Sequence, residues 1–151
     1  MLKVKKINTP LGAIYLGAQN ERLKFLSFDK HKCTESCDVL DAAHAQLLEY
    51  FKGERKTFKL PLDLSGTQFQ QLAWKALIEI PYGKTVSYKA QAAMLGDIKK
   101  ARAIGLANGK NPLPIIVPCH RVVRTDGKLG GYSCGIEKKI FLLELEKKGL
   151  G

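Results

Sequence analysis

The 151-residue sequence contains no apolar run approaching the roughly 18 residues that a membrane-spanning helix needs. Lys3, Lys5 and Lys6 break up the first segment, so it offers no apolar core for an export signal and a cytoplasmic location is expected. Cysteine is scarce as well, with four residues that are too few and too scattered for a disulfide framework. Neither an internal repeat nor a low-complexity tract is present, which excludes solenoids and most disordered linkers. Acidic residues are outnumbered, 14 against 25 Lys plus Arg, which leaves a net charge of +11. That excess points to a polyanionic partner, although a lysine-rich surface also serves solubility alone. What remains is an ordinary globular composition, 45% hydrophobic and 26% charged, long enough for one large domain or two small ones.

The first third reads as strands at Leu2–Thr9, Ala13–Ala18 and Arg22–Phe28, separated by Pro10-Leu11-Gly12 and Gln19-Asn20-Glu21. From Asp38 to Gly53 the apolar residues Val39, Leu40, Ala43, Leu47, Leu48 and Phe51 keep helical spacing, and Gly53 is a natural stop. Residues 1–58 therefore form an expected α/β domain, residues 59–64 an extended Pro-containing linker, and residues 65–151 a mainly helical domain. That second part opens with Ser65-Gly66-Thr67 before a helix carrying Phe69, Leu72, Ala73, Ala76 and Leu77. Ser87 then caps a short helix, Tyr88–Leu95, and after Gly96-Asp97 a third helix runs from Lys99 to Gly109. Helix, short turn and helix between Tyr88 and Asn108 have the layout of a helix-turn-helix unit, which also occurs as plain helix packing.

A helix that reads bases in the major groove offers Asn, Gln, Arg or Lys to their edges, but Ala101, Ala103, Gly105 and Ala107 leave this one nearly bare. Two readings fit: the face enters a narrow minor groove with Arg102 reaching into the duplex, or the alanines pack on a neighbouring helix. Downstream, Ile115-Ile116-Val117-Pro118 reads as a buried strand ending in Cys119-His120. A thiol beside an imidazole suits a nucleophile and its proton acceptor, though neighbouring side chains on an extended segment diverge and a turn or a water must bridge them. An inert buried cysteine is the alternative.

The string Pro118-Cys119-His120-Arg121, preceded by Asn111 to Val117 and followed by Val122-Val123, resembles the active-site motif of the O6-alkylguanine-DNA alkyltransferases, also called methylated-DNA-protein-cysteine methyltransferases. Pro81 to Tyr88, Lys100 to Gly105 and Gly130 to Ser133 extend the similarity across about residues 65–148. The resemblance implies a small N-terminal ribonuclease-H-like sheet-plus-helix domain ahead of the helix-turn-helix domain. It implies a repair protein that flips O6-alkylguanine out of double-stranded DNA and moves the alkyl group irreversibly to Cys119, with no cofactor or metal and acting as a monomer. On the same basis His120 takes the Cys119 proton through a water, Glu146 orients His120, and Tyr88 donates to guanine N3. Ser133 matches the residue that bonds O6. Tyr132 and Pro114 match the pocket walls, and the carbonyls of Cys119 and Val122 the acceptors of the exocyclic amine. Arg102 matches the finger that fills the vacated stack, and Ala103, Gly105, Ala107 and Asn108 share its helix as the DNA-facing surface. Asn111 matches the hinge that joins this helix to the active-site turn.

Some positions depart from the pattern. Asn108 stands where some relatives carry a methionine, and Cys134 beside Ser133 narrows the expected pocket. Cys33 and Cys37, with His31 and His44 near, leave a metal site or a local disulfide open. A DNA-damage sensor and a cysteine hydrolase are the rival classes. The first normally lacks the acceptor cysteine, and the second gives no role to the bare helix with its single arginine.

Overall fold

The computed structural model describes residues 1–150, which divide into two compact units, Met1–Leu64 and a second that starts at Ser65. The first is an antiparallel meander of β1 (Lys3–Thr9), β2 (Gly12–Gln19) and β3 (Arg22–Ser27), in the order β1-β2-β3, followed by helix α1 (Asp38–Phe51). Ile14, Leu16 and Ala18 of β2 share one face by alternation and are buried with their cross-strand neighbours Ile7, Leu23 and Leu26, whereas Val4, paired with Gly17, is buried on the opposite face. Helix α1 closes the core with Leu40, Ala43, Leu47 and Tyr50, all fully buried. Gly17 leaves room for the Phe25 ring to lie against β2, and the β2–β3 register shifts at this point. The segment expected as a linker runs along β3: Leu23 N–H donates to the Pro61 carbonyl at 2.8 Å and Asp63 N–H to the Leu23 carbonyl at 2.8 Å. Among the described residues all four cysteines are thiols, and no group of three or more His, Cys, Asp or Glu side chains is placed to hold a metal. Nor is any described helix long and apolar enough to cross a membrane.

The second unit begins with α2 (Gln68–Ile78), whose Thr67 and Gln70 form a reciprocal capping box. A two-stranded parallel pair joins β4 (Val86–Ser87) to β5 (Val122–Val123), and α3 (Tyr88–Met94) starts directly from β4 under the cap of Ser87, whose hydroxyl accepts from Ala90 N–H at 3.0 Å. After Leu95-Gly96, Asp97 caps one 3-10 turn at Ile98–Lys100, and α4 follows (Ala101–Gly109). The expected third helix is therefore tighter in its first turn than α-helical geometry. Ala73, Ala92, Ile104 and Ala107 form the core under α2, α3 and α4. Small side chains let these helices approach closely, and the Trp74 indole N–H donates to the Ala107 carbonyl at 2.9 Å. The last helix is α5 (Ile136–Gly149).

The strand expected at Ile115–Val117 does not form. Ile115 has φ +77°, Val117 N–H donates to the Leu113 carbonyl at 2.8 Å, and the chain turns sharply before Cys119. Pro112, Pro114 and Pro118 explain the difference, because each removes a donor that a central strand needs. The apolar run is buried as a turn.

Candidate active site

Cys119 opens a single 3-10 turn, Cys119–Arg121, that links the proline-rich turn to β5. Asn111 braces this approach from both sides: its Nδ2 donates to the Val117 carbonyl at 2.8 Å and its Oδ1 accepts from Leu113 N–H at 2.9 Å. A cavity of about 450 Å³ lies over the thiol, lined by Tyr88, Gly105, Asn108, Gly109, Cys119 and the Gly131-Tyr132-Ser133 loop. Burial pushes the Cys119 thiol up to about 11, against a smaller opposing pull from the Asn111 amide. At neutral pH such a group is ionised in about one molecule in ten thousand. The cysteine therefore needs a proton acceptor.

The next residue is His120. Its ring is fully buried, and Nε2 donates to Glu146 Oε2 at 2.6 Å, which leaves Nδ1 as the basic nitrogen, buried with no protein partner. Burial holds the His120 ring below its ordinary pKa against the pull of Glu146, so the imidazole is neutral and able to accept. Burial would raise the Glu146 carboxyl, but hydrogen bonds from His120 and Arg121 outweigh that and hold it far below the usual carboxylate range. Arg121 Nε and Nη2 reach the carboxylate at 2.8 and 3.0 Å, Gly83 N–H at 3.2 Å, and Arg121 Nη1 anchors on the Ile80 carbonyl at 2.7 Å. No direct hydrogen bond joins His120 to Cys119 among the described residues. The turn keeps both side chains buried.

Tyr88 begins α3 at the edge of the cavity, and burial raises its phenol, with the Cys119 charge adding to the effect. Gly130, at φ +75°, is where the opposite wall passes closest: a Cβ would fall 3.0 Å from the Tyr88 hydroxyl. Lys139 holds that wall. Its Nζ is out of solvent and donates to the carbonyls of Val122 at 2.7 Å, Leu129 at 2.5 Å and Gly131 at 3.1 Å. Burial lowers this ammonium to about 8.

Of the residues singled out in the sequence, Tyr88, Gly105, Asn108, Cys119, Tyr132 and Ser133 converge on the cavity. Pro114 and Val122 are buried behind the Cys119 turn and do not line it. The Val122 carbonyl accepts from Lys139, and the Cys119 carbonyl accepts from the Val122 N–H. Arg102 and Ala103 are exposed on α4 as expected. Ala107 is not: its side chain belongs to the core. Asn108 is also turned inward, in a reciprocal amide pair with Gln91 at 2.8 and 3.0 Å, so it borders the cavity and leaves the outer face of α4. Helical geometry places residues 104, 107 and 108 on one side and 102, 103 and 106 on the other, and burial chose the first set for the core. Sequence reasoning overlooked Lys139, the role of Arg121, and Leu106. Arg121 stands inside the motif string and was legible there, whereas Lys139 looks like every other lysine of α5.

Residues 68–148 match the family model described as the DNA binding domain of 6-O-methylguanine DNA methyltransferase, and residues 2–64 match its ribonuclease-like domain. A methylated-DNA-protein-cysteine methyltransferase of Mycobacterium leprae is 54% identical, with 97% of this chain and 93% of the relative covered. One of Methanosarcina barkeri is 45% identical, covering 95% and 96%. Among solved structures, Mycobacterium tuberculosis OGT in complex with DNA superimposes with a TM-score of 0.91 at 45% identity, over 97% of this chain and 94% of that one. With both parts of the chain matched and a cysteine set in a cavity beside a Glu-His pair, the chain belongs to the 6-O-methylguanine DNA methyltransferase family.

Proposed function

We propose that Cys119 is the alkyl acceptor of a DNA repair methyltransferase that acts once per molecule on O6-alkylguanine flipped from duplex DNA. The observation that carries this is the buried relay: ionised Glu146 fixes the His120 tautomer, and the free Nδ1 belongs to the residue next to a thiol that is otherwise protonated. His120 takes the thiol proton through a water. The Cys119 sulfur then forms a bond to the alkyl carbon as the bond from that carbon to O6 breaks, and the electron pair passes to the purine. Tyr88 donates a hydrogen bond to guanine N3 as that charge develops, and the proton that His120 took from the thiol is returned through water to the purine, so guanine leaves neutral and Cys119 is left as a thioether. Ser133 holds O6, Tyr132 flanks the base, and Asn111 keeps the turn in register.

The second unit carries both chemistry and DNA contact, with Arg102 filling the stack, Ala103 and Gly105 letting α4 approach the groove, and a monomer sufficing for one lesion. Intact-protein mass after mixing with excess duplex carrying O6-methylguanine tests the reading. One methylene equivalent per chain, confined to the Cys119 peptide and absent from Cys119→Ser, is expected. An unmodified protein that still binds the lesion would identify a sensor instead.

A further inference from the structure

The exposed stripe of α4 comprises Arg102, Ala103, Leu106 and Gly109. Leu106 is 71% exposed, more than any other large apolar side chain described except the terminal Met1. A single exposed leucine is ordinary in itself. Its surroundings are not. Gly105, one residue earlier, lines the cavity over Cys119, whereas Arg102, Ala103 and Leu106 line a second concavity of about 520 Å³ with Phe69, Lys99 and Lys100. Leu106 thus stands at the boundary between the space for a base and a groove whose charged lining is entirely cationic. One turn of helix separates it from Arg102, so the two side chains leave the same face. Its neighbours on that face, Ala103 and Gly109, reach much less far.

We propose that Leu106 is an apolar wedge that enters the minor groove beside Arg102 and props apart the base step next to the flipped nucleotide. The proposal rests on the reading of the chain as a protein that extracts a base from duplex DNA. Leucine is among the side chains that insert between base steps, and unstacking at that point lowers the cost of extruding the adjacent nucleotide. Lacking donors and acceptors, it reads no base edge, which suits a protein that must act at a lesion in any sequence. Lys99 and Lys100 supply charges for the neighbouring phosphates. Charge also argues against a second copy of the chain as the occupant, because this cationic patch belongs to a protein of net charge +11.

The test compares wild type, Leu106→Ala and Leu106→Met in two assays. In the first, single-turnover methyl transfer is timed on an O6-methylguanine duplex and on the free O6-methylguanine base, which needs no flipping. The ratio of the duplex rate to the free-base rate is expected to fall about tenfold for Leu106→Ala, the loss of roughly one buried apolar side chain, and to return to within about twofold for Leu106→Met. The second uses a Cys119→Ser background, where no transfer occurs, and follows fluorescence of 2-aminopurine placed beside the lesion. Leu106 should raise that signal on binding, and Leu106→Ala should lose most of the rise while keeping the same salt slope. An unchanged rate ratio, or an unchanged fluorescence rise, overturns the wedge. Absence of methyl transfer in wild type would instead sink the underlying function, and the fluorescence assay still decides on Leu106.

Discussion

Glu146→Gln is expected to slow methyl transfer by about a thousandfold and to destabilise the fold by about 3–5 kcal/mol. The two effects have separate causes. The substituted amide presents one acceptor and one donor where the carboxylate presented two acceptors, so His120 loses the partner that fixes its tautomer. Arg121, whose guanidinium is buried, keeps its charge and loses the anion that it grips through Nε and Nη2. A buried charge without its counter-ion is the more expensive loss, and it acts on stability whether or not substrate is present. Urea unfolding and single-turnover kinetics on a methylated duplex separate the two. A variant with wild-type stability would show that the Arg121–Glu146 pair is solvated in practice, and one with a wild-type rate would remove the relay from the mechanism.

The same cluster sets an acid limit. The Glu146 carboxyl is held below its unfolded value, so its contribution is present above about pH 4.5 and is lost as pH falls through the folded value. His120 is also held down, by burial, so the unfolded chain binds a proton below about pH 6.5 that the folded chain resists. Both push the same way, and stability is expected to decline from about pH 6.5 downward. The transfer rate should fall once His120 Nδ1 is protonated, at a pH lower than for a solvated histidine. Glu146→Gln should flatten the acid side of the stability profile measured by denaturation.

Lys139→Met is expected to cost about 2–3 kcal/mol and to slow transfer on duplex DNA by at least about tenfold. Lys139 satisfies three carbonyls at once, those of Val122, Leu129 and Gly131, and methionine fills a similar volume while leaving them without that donor. Those carbonyls belong to the strand after the active-site turn and to the loop that walls the cavity, so the variant loosens the wall facing Tyr88. Hydrogen exchange should speed up at Gly130 and Gly131 while the protection of α1 in the first unit stays unchanged. Retained protection at the loop together with a full transfer rate would show that the wall stands without the lysine.

Much of this was readable from local signals. Thr67 and Ser87 mark the starts of their helices because a cap acts through side-chain and backbone atoms only three residues apart, whereas Asp97, read only as part of a stop, also caps the turn that follows. The Pro118-Cys119-His120-Arg121 string was legible for the same reason: the proposed nucleophile and proton acceptor are adjacent in the chain. Misreadings arose where a local breaker or a distant partner overrides the apolar pattern. Ile115–Val117 has the apolarity of a strand, but the prolines around it and the left-handed backbone at Ile115 make it a turn. Ala107 and Asn108 share α4 with Arg102, and only packing against Trp74 and Gln91 shows that they face inward.

Helix α5 shows the division most clearly. Its residues Lys139, Leu142 and Glu146 all face the interior, so the buried stripe is two-thirds charged and hidden from any hydrophobic periodicity. Glu144 and Glu146 are equivalent by composition, and only the family resemblance favoured the second. The sequence by itself determined the secondary structure near each cap, the helix-turn-helix order and the adjacency of Cys119 and His120, because these depend on neighbours along the chain. Tertiary structure alone decided that Glu146 meets His120 and Arg121, that Lys139 braces the cavity wall and that Leu106 is left outside, because a charge is worth burying only where distant groups converge to satisfy it.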